Sequence, residues 1–258
     1  MKIRLHIPTP YAPGQFLLLP PGQSHYLSHV MRCREGDAIA VFNGQDGEWR
    51  AEVSAIAKKS VTLQLIECTA PHISSPDLWL AFAPIRNKTE LVVEKATELG
   101  VSALLPVFTR HAVVKSVNHE KLMAHAVEAA EQCGRHDVPR IEEHKDLSFL
   151  LAAWPKDRTL LFADESGSGT NLKNLLASLP AGRYGLLVGP EGGFSAEERH
   201  MLSLVAQVRA FGMGPRILRA DTAATAALGC IQSWLGDWDM QPGPALQPCH
   251  PALVAGSG

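Results

Sequence analysis

The chain has 258 residues, 46% hydrophobic and 19% charged, enough to bury a core in one large domain or two smaller ones without disulfides or metals. The chain has 24 lysines and arginines and 26 acidic residues, which excludes a uniformly basic surface that would bind nucleic acid nonspecifically. A local basic face is still compatible with this balance. Five scattered cysteines without a Cys-x-x-Cys pair indicate reduced thiols, and the eleven histidines lack metal-ligand spacing. Because neither a signal peptide nor a membrane span is predicted, we expect a soluble, cytoplasmic protein without a metal.

Residues 1–70 have the pattern of a β-rich module. Short alternating apolar runs are separated by turn clusters rich in Gly, Asn and Asp, which is typical of a small β-barrel or sandwich. The predicted strands are Phe16–Leu19, Ala38–Phe42, Trp49–Ile56 and Val61–Ile66, with one short helix over Ser24–Met31. Residues 71–76 contain two prolines and two serines, which predicts a linker.

Beyond the linker, strands and helices alternate, which predicts an α/β domain with a mostly parallel sheet over residues 77–240. The predicted strands are Leu78–Pro84, Val101–Phe108, Thr159–Ala163, Tyr184–Val188 and Val208–Phe211. The predicted helices are Thr89–Gly100, His119–Gly134, Leu172–Leu179, Ala196–Gln207 and Thr222–Trp238. Residues 241–258, rich in Pro and Gly, are predicted to form a flexible tail.

A first glycine-rich loop, Gly189-Pro-Glu-Gly-Gly193, directly follows a predicted strand, and Ser195 and Glu198 have capping-box spacing at the next helix. Glycines let a backbone approach a ligand closely, and loops at the carboxyl ends of strands form the ligand crevice of α/β sheets. The loop is neither a P-loop nor a G-x-G-x-x-G fingerprint. A tight turn that needs positive φ explains the same glycines equally well.

A second loop, within 211–224, has two glycines and a proline followed by Arg216 and Arg219, ahead of the last predicted helix. Guanidinium groups at the mouth of such a loop suit a phosphate or an anionic base. Ion pairs with Glu191 or Asp221 inside the fold are the alternative for both arginines. From the loop alone, both interpretations stay open.

The first loop, Gly189–Gly193, followed later in the chain by the second loop, within 211–224, resembles two signatures of the SPOUT methyltransferases. The chain is more narrowly similar to the RsmE family, which methylates N3 of a uridine in 16S ribosomal RNA with S-adenosylmethionine. Asp221 stands where that family usually has Glu, and Met213 where it usually has Leu. The resemblance covers roughly residues 1–240, because further motifs match at Asn87–Val101, Thr109-Arg110, Glu128–Arg135 and His25–Asp37.

The resemblance implies a SPOUT domain with a deep trefoil knot over residues 77–240 and an RNA-binding, PUA-like β-barrel over residues 1–70. It implies S-adenosylmethionine as cofactor, 16S rRNA in the small ribosomal subunit as substrate, and a homodimer. A non-catalytic RNA-binding assembly factor is the alternative, as is a SPOUT methyltransferase acting on another rRNA or tRNA base.

The resemblance also implies functional residues, which are assigned by their positions in the motifs that match the family. Arg219 is expected to stabilise the developing anion; Glu191 or Asp221 would accept the N3 proton, although a structural role for both is equally compatible. The expected cofactor-binding residues are Val188, Gly189, Pro190, Glu191, Gly192, Gly193, Met213, Gly214, Pro215, Arg216, Ile217 and Leu218. The expected RNA-binding residues are Arg32, Arg34, Lys88, Arg110, Lys115 and Arg135. The segment Asp164–Gly169 faintly resembles the acidic start of a Rossmann-type methyltransferase motif, but it lacks the third glycine and is interpreted as a loop.

Overall fold

The computed structural model describes residues 3–167 and 169–240. They form two compact units, one ending at Ile73 and the other spanning Ser74–Met240. The predicted flexible tail, residues 241–258, lies outside the described residues.

The first unit is a five-stranded mixed sheet in the order β1-β3-β4-β5-β2. Its strands are β1 (Arg4–His6), β2 (Phe16–Leu18), β3 (Ala38–Phe42), β4 (Glu48–Ile56) and β5 (Val61–Ala70). Within this sheet, β1 and β3 pair in parallel, and the other described pairings are antiparallel. Helix α1 (Pro21–His25) runs into a π-helical turn over Tyr26–Val30. Alternate residues of β5 are buried, as period-two patterning requires of a half-buried strand.

The second unit has a parallel sheet that includes the order β11-β13-β10-β12-β6-β7-β8, and β9 also pairs with β7. The strands are β6 (Leu78–Phe82), β7 (Ala103–Phe108), β8 (Arg140–Ile141), β9 (Lys145–Asp146), β10 (Arg158–Ala163), β11 (Thr170–Asn171), β12 (Arg183–Val188) and β13 (Val208–Gly212). The helices are α2 (Thr89–Glu98), α3 (His119–Cys133), α4 (Leu147–Ala152), α5 (Leu172–Ser178), α6 (Ala196–Ser203) and α7 (Ala220–Leu235).

Both faces of the parallel sheet are buried, in two separate hydrophobic clusters. Leu186 of β12 belongs to the cluster formed with α2, α3, α5 and α7, whereas its neighbour Leu187 belongs to the cluster formed with α4 and α6. Successive residues of a strand point to opposite faces, so a strand covered on both sides must be apolar throughout. That requirement explains the continuous apolar run over residues 184–188.

The structure confirms the predicted α/β class and the long elements to within a few residues. The structure also contains β1, β8, β9 and β11, whose two or three residues are too few to show an alternation, and the six-residue helix α4, which spans less than two helical turns. The knot implied by the resemblance stays a prediction. In the described part of the chain, no helix combines the length and the apolar character that a membrane crossing requires.

Candidate functional site

A cavity of about 300 Å³ opens at the carboxyl edge of the parallel sheet, where β13, β10 and β12 lie side by side. Three loops line it, one from each strand end: residues 163–167 after β10, 188–193 after β12 and 211–218 before α7. Because all three strands are parallel, their carboxyl ends meet at this edge and bring together loops that are far apart in sequence.

The loop after β12 is held by a buried phenylalanine. A Cβ added to Gly189 would collide with the ring of Phe194 at Cε2, and would lie 2.9 Å from Cδ2 and 3.0 Å from Cζ. The Phe194 ring is 2% exposed and packs edge-to-face on Phe162 at 4.9 Å. Gly189 is therefore needed for close packing, and its φ is not positive.

Helix α6 begins directly after this loop with the predicted capping box. The Ser195 Oγ accepts from the Glu198 backbone N at 3.2 Å, and Glu198 Oε2 accepts from the Ser195 backbone N at 2.8 Å. The other carboxylate oxygen of Glu198 accepts from the backbone N of Arg110 at 2.8 Å. One buried carboxylate thus fixes both the start of α6 and the loop after β7.

The loop after β10 lines the same cavity, although none of its residues was among the predicted cofactor-binding residues. Asp164 is 6% exposed and accepts from the backbone N and the hydroxyl of Ser166. Glu165 accepts from Nη2 of Arg199 at 2.7 Å and from the backbone N of Phe194 at 3.4 Å. The sequence signal was present, because two carboxylates come directly after the carboxyl end of a strand.

Of the predicted cofactor-binding residues, all but Gly192 line the cavity. The Gly192 carbonyl oxygen lies 3.0 Å from His111 Nδ1, and an added Cβ would lie 3.0 Å from the His111 Cβ. Gly192 therefore faces the loop after β7. The lining residues that were not predicted are Ala163, Asp164, Glu165, Gly167, Phe211, Gly212, Ala220 and Ala223.

Asp221 is engaged in an ion pair with Lys88, whose Nζ lies 2.5 Å from Oδ2. The hydrogen bond from Lys88 lowers the pKa of the Asp221 carboxyl below its ordinary value. A carboxylate with a lowered pKa is a poor proton acceptor, so the geometry favours the structural role for this residue. The pair ties the first turn of α7 to the N-terminus of α2.

The other two candidate catalytic residues keep their side chains exposed. Glu191 lines the cavity, whereas Arg219 is the N-cap residue of α7 and lies just outside the lining. In the described part of the chain, no salt bridge joins Arg219 or Arg216 to Glu191 or Asp221. The internal pairing that the sequence left open is therefore not formed.

Arg135, one of the predicted RNA contacts, is engaged inside the fold. Its guanidinium donates to the carbonyl oxygens of Thr97 and Val101 at 2.7 and 3.1 Å and to Asp137 at 2.9 Å. Its side chain is 8% exposed. These contacts give the cation a structural role at the carboxyl end of α2 and the turn that follows it, and they disfavour the predicted RNA contact.

The remaining predicted RNA contacts lie at the surface or close to it. Lys88 is about one-third exposed in its pair with Asp221, and the guanidinium of Arg110 lies 3.9 Å from Glu197. Arg32 has a left-handed backbone with φ of 54°, which is uncommon outside glycine. The exposed members of the set are Arg32, Arg34, Arg110 and Lys115.

Comparison with known proteins links both units to one family. A family model described as RNA methyltransferase domain matches residues 73–232, and one described as RNA methyltransferase PUA domain matches residues 19–66. The ribosomal RNA small subunit methyltransferase E of Rickettsia conorii is 32% identical over 81% of this chain and 85% of that protein. The protein of the same name from Bacillus subtilis is 34% identical over 80% of this chain and 86% of its own length.

Two solved structures share the fold. A methyltransferase of Legionella pneumophila in complex with the bound cofactor SAM is 29% identical, with a TM-score of 0.81 over 92% of this chain and 99% of that one. A ribosomal RNA small subunit methyltransferase E of Neisseria gonorrhoeae, bound to S-adenosyl methionine, is 25% identical, with a TM-score of 0.82 over 92% of this chain and 100% of that one. The chain belongs to the ribosomal RNA small subunit methyltransferase E family, within the RNA methyltransferases.

Proposed function

We propose that this protein is an S-adenosylmethionine-dependent methyltransferase that modifies N3 of a uridine in 16S rRNA of the small ribosomal subunit. The observation that carries the proposal is the cavity built by three loops at the carboxyl edge of β13, β10 and β12. The family membership supports the reaction class, and the family's established target supports the choice of base.

The lining of the cavity fits this cofactor. The lining has three carboxylates, Asp164, Glu165 and Glu191, and one cation, Arg216. Arg199, behind the lining, pairs with Asp164 and Glu165, so these five side chains sum to one negative charge, which suits a positively charged sulfonium. Apolar side chains such as Val188 and Phe211 offer a dry surface for the adenine ring. Backbone groups of both glycine-rich loops would meet the polar edges of the base and the ribose, because glycine permits close approach.

When bound, S-adenosylmethionine supplies a methyl group on sulfonium, an electrophile that needs no further activation. The protein's task is to hold an unstacked uridine with N3 in line and to favour loss of the N3 proton. Arg219, exposed at the cavity mouth, would stabilise the uracil anion. Of the two candidate proton acceptors, Glu191 is retained, since Asp221 is held as an anion by Lys88.

The wider assignments follow from the same proposal. The first unit would contact RNA through Arg32 and Arg34, and the protein would act in the cytoplasm. We further propose that it works as a homodimer. The exposed apolar side chains Leu91 on α2 and Trp234 on α7 support that assignment, because they offer an apolar surface to a second copy.

The test is transfer of a labelled methyl group to small ribosomal subunits and, separately, to naked 16S rRNA, with the modified base mapped by mass spectrometry. We expect incorporation at a single uridine N3. Calorimetric titration with S-adenosylmethionine comes first. A folded protein that shows no binding at millimolar cofactor would refute the enzyme assignment and favour the assembly factor.

A further inference from the structure

A second cavity, of about 480 Å³, lies at the same edge of the sheet and has no part in the cofactor assignment. It is lined by residues 85–87, 89 and 90, between β6 and the first turn of α2, and by parts of residues 114–122, which include the first turn of α3. Its volume falls within the range of small-molecule sites.

The two cavities are neighbours across one ion pair. Lys88 stands between Asn87 and Thr89, which both line the second cavity, and its ammonium reaches Asp221. Asp221 directly follows Ala220, which lines the cofactor cavity. A ligand in the second cavity would therefore lie beside the place where the proposed reaction occurs.

The second cavity offers hydrogen-bond donors and excess positive charge. Arg86 is exposed, and no ion pair is formed by its guanidinium within the described residues. Lys121 Nζ lies 2.6 Å from Glu90, so the three charged lining residues sum to one positive charge. Asn118 caps α3 by accepting from the Lys121 backbone N, which leaves its amide NH₂ as a donor.

The direction of two helices adds positive potential at this cavity. The N-termini of α2 and α3 both meet there, and their partial positive charges add to those of Arg86 and Lys121. The cavity wall is therefore more favourable to an anion than its side chains alone would make it.

We propose that this cavity binds a phosphate of the RNA strand beside the target uridine, through Arg86 and Lys121. Donors and positive charge suit phosphate oxygens, and the position next to the cofactor cavity suits a nucleotide that flanks an extruded base. The assignment rests on the proposed function, because RNA is the ligand it commits to.

The test is direct binding of a 16S rRNA transcript to the full chain at several salt concentrations, without methyl transfer. Arg86→Gln and Lys121→Gln should each weaken binding about fivefold and lower the slope of log affinity against log salt by roughly one. Lys156→Gln is the matched control, because Lys156 is exposed and precedes β10, at the opposite edge of the sheet. It should change neither quantity.

Calorimetric titration with S-adenosylmethionine should give the same affinity for all three variants as for the wild type. Unchanged RNA affinity and salt slope in Arg86→Gln and Lys121→Gln would overturn the proposal, as would an equal loss in the control. A shift from dimer to monomer with unchanged RNA affinity would assign the cavity to a second copy instead. If the wild type binds RNA without transferring methyl, the proposed reaction fails while the binding comparison still decides the cavity.

Discussion

Replacing Gly189 with alanine should destabilise the protein through a single steric conflict. The new Cβ would lie 2.9 and 3.0 Å from two carbons of the Phe194 ring and closer still to a third, whereas carbon atoms prefer 3.5–4.0 Å. The ring therefore has to retreat by about 1 Å, against Phe162. Overpacking of this kind costs about 1–3 kcal/mol. Alanine also lowers the conformational entropy of the unfolded chain, which stabilises the protein by about 0.4–1 kcal/mol. We therefore expect the free energy of unfolding to fall by roughly 1–2 kcal/mol.

The same displacement should reach the cofactor. Phe194 directly follows the lining loop 188–193, so a shifted ring moves that loop, and we expect the affinity for S-adenosylmethionine to fall roughly tenfold. Gly182→Ala is the matched control, since an added Cβ there lies no closer than 3.7 Å to Tyr184, its φ is not positive, and Gly182 does not line the cavity. Urea unfolding and calorimetry measure both effects. If Gly189→Ala matches Gly182→Ala in both measurements, the steric argument is refuted.

Three further substitutions separate structural from functional roles. Asp221→Asn should lower the free energy of unfolding by about 1 kcal/mol at pH 7, because the partly exposed pair with Lys88 is lost. Since the pKa of Asp221 is lowered in the folded state, the difference in urea unfolding should shrink as the pH falls through that pKa; a constant difference would contradict the pairing. Arg219→Ala should reduce turnover about 100-fold while leaving cofactor affinity within about twofold, and equal losses would contradict its role in anion stabilisation. Arg135→Ala should cost about 2–4 kcal/mol in urea unfolding, because Asp137 loses its cation and the carbonyls of Thr97 and Val101 lose their hydrogen bonds from the guanidinium, with unchanged RNA affinity.

The long elements were predictable because their patterns repeat. The period-two alternation of Val61–Ile66 and the unbroken apolar run at residues 184–188 each correspond to a single kind of strand. Helix α3 carries both end signals, with Asn118 as N-cap and Gly134 in a left-handed conformation after it. The two-residue strand β8 carries no such signal, since its existence depends on pairing with β7.

Side-chain environment was the part of the site that sequence alone did not decide. Arg135 and Arg219 are both arginines within family signatures, yet one satisfies backbone carbonyls inside the fold and the other is exposed. Asp221 has its cation 133 positions earlier in the chain, at Lys88. Such long-range partners depend on the topology of the sheet, and a local pattern holds no information about them.

The missed loop after β10 shows what topology adds to a motif search. Asp164 and Glu165 begin a segment with only a faint resemblance to a ligand-binding motif, and the sequence alone favours an ordinary loop. In the sheet, however, β10 lies between β13 and β12, the two strands whose loops were predicted to hold the cofactor. When the loops of two outer strands share a ligand, the loop of the strand between them must also border it, because neighbouring strands are only about 4.8 Å apart. The strand order therefore makes a carboxylate at position 164 part of the cavity wall, whatever its sequence context.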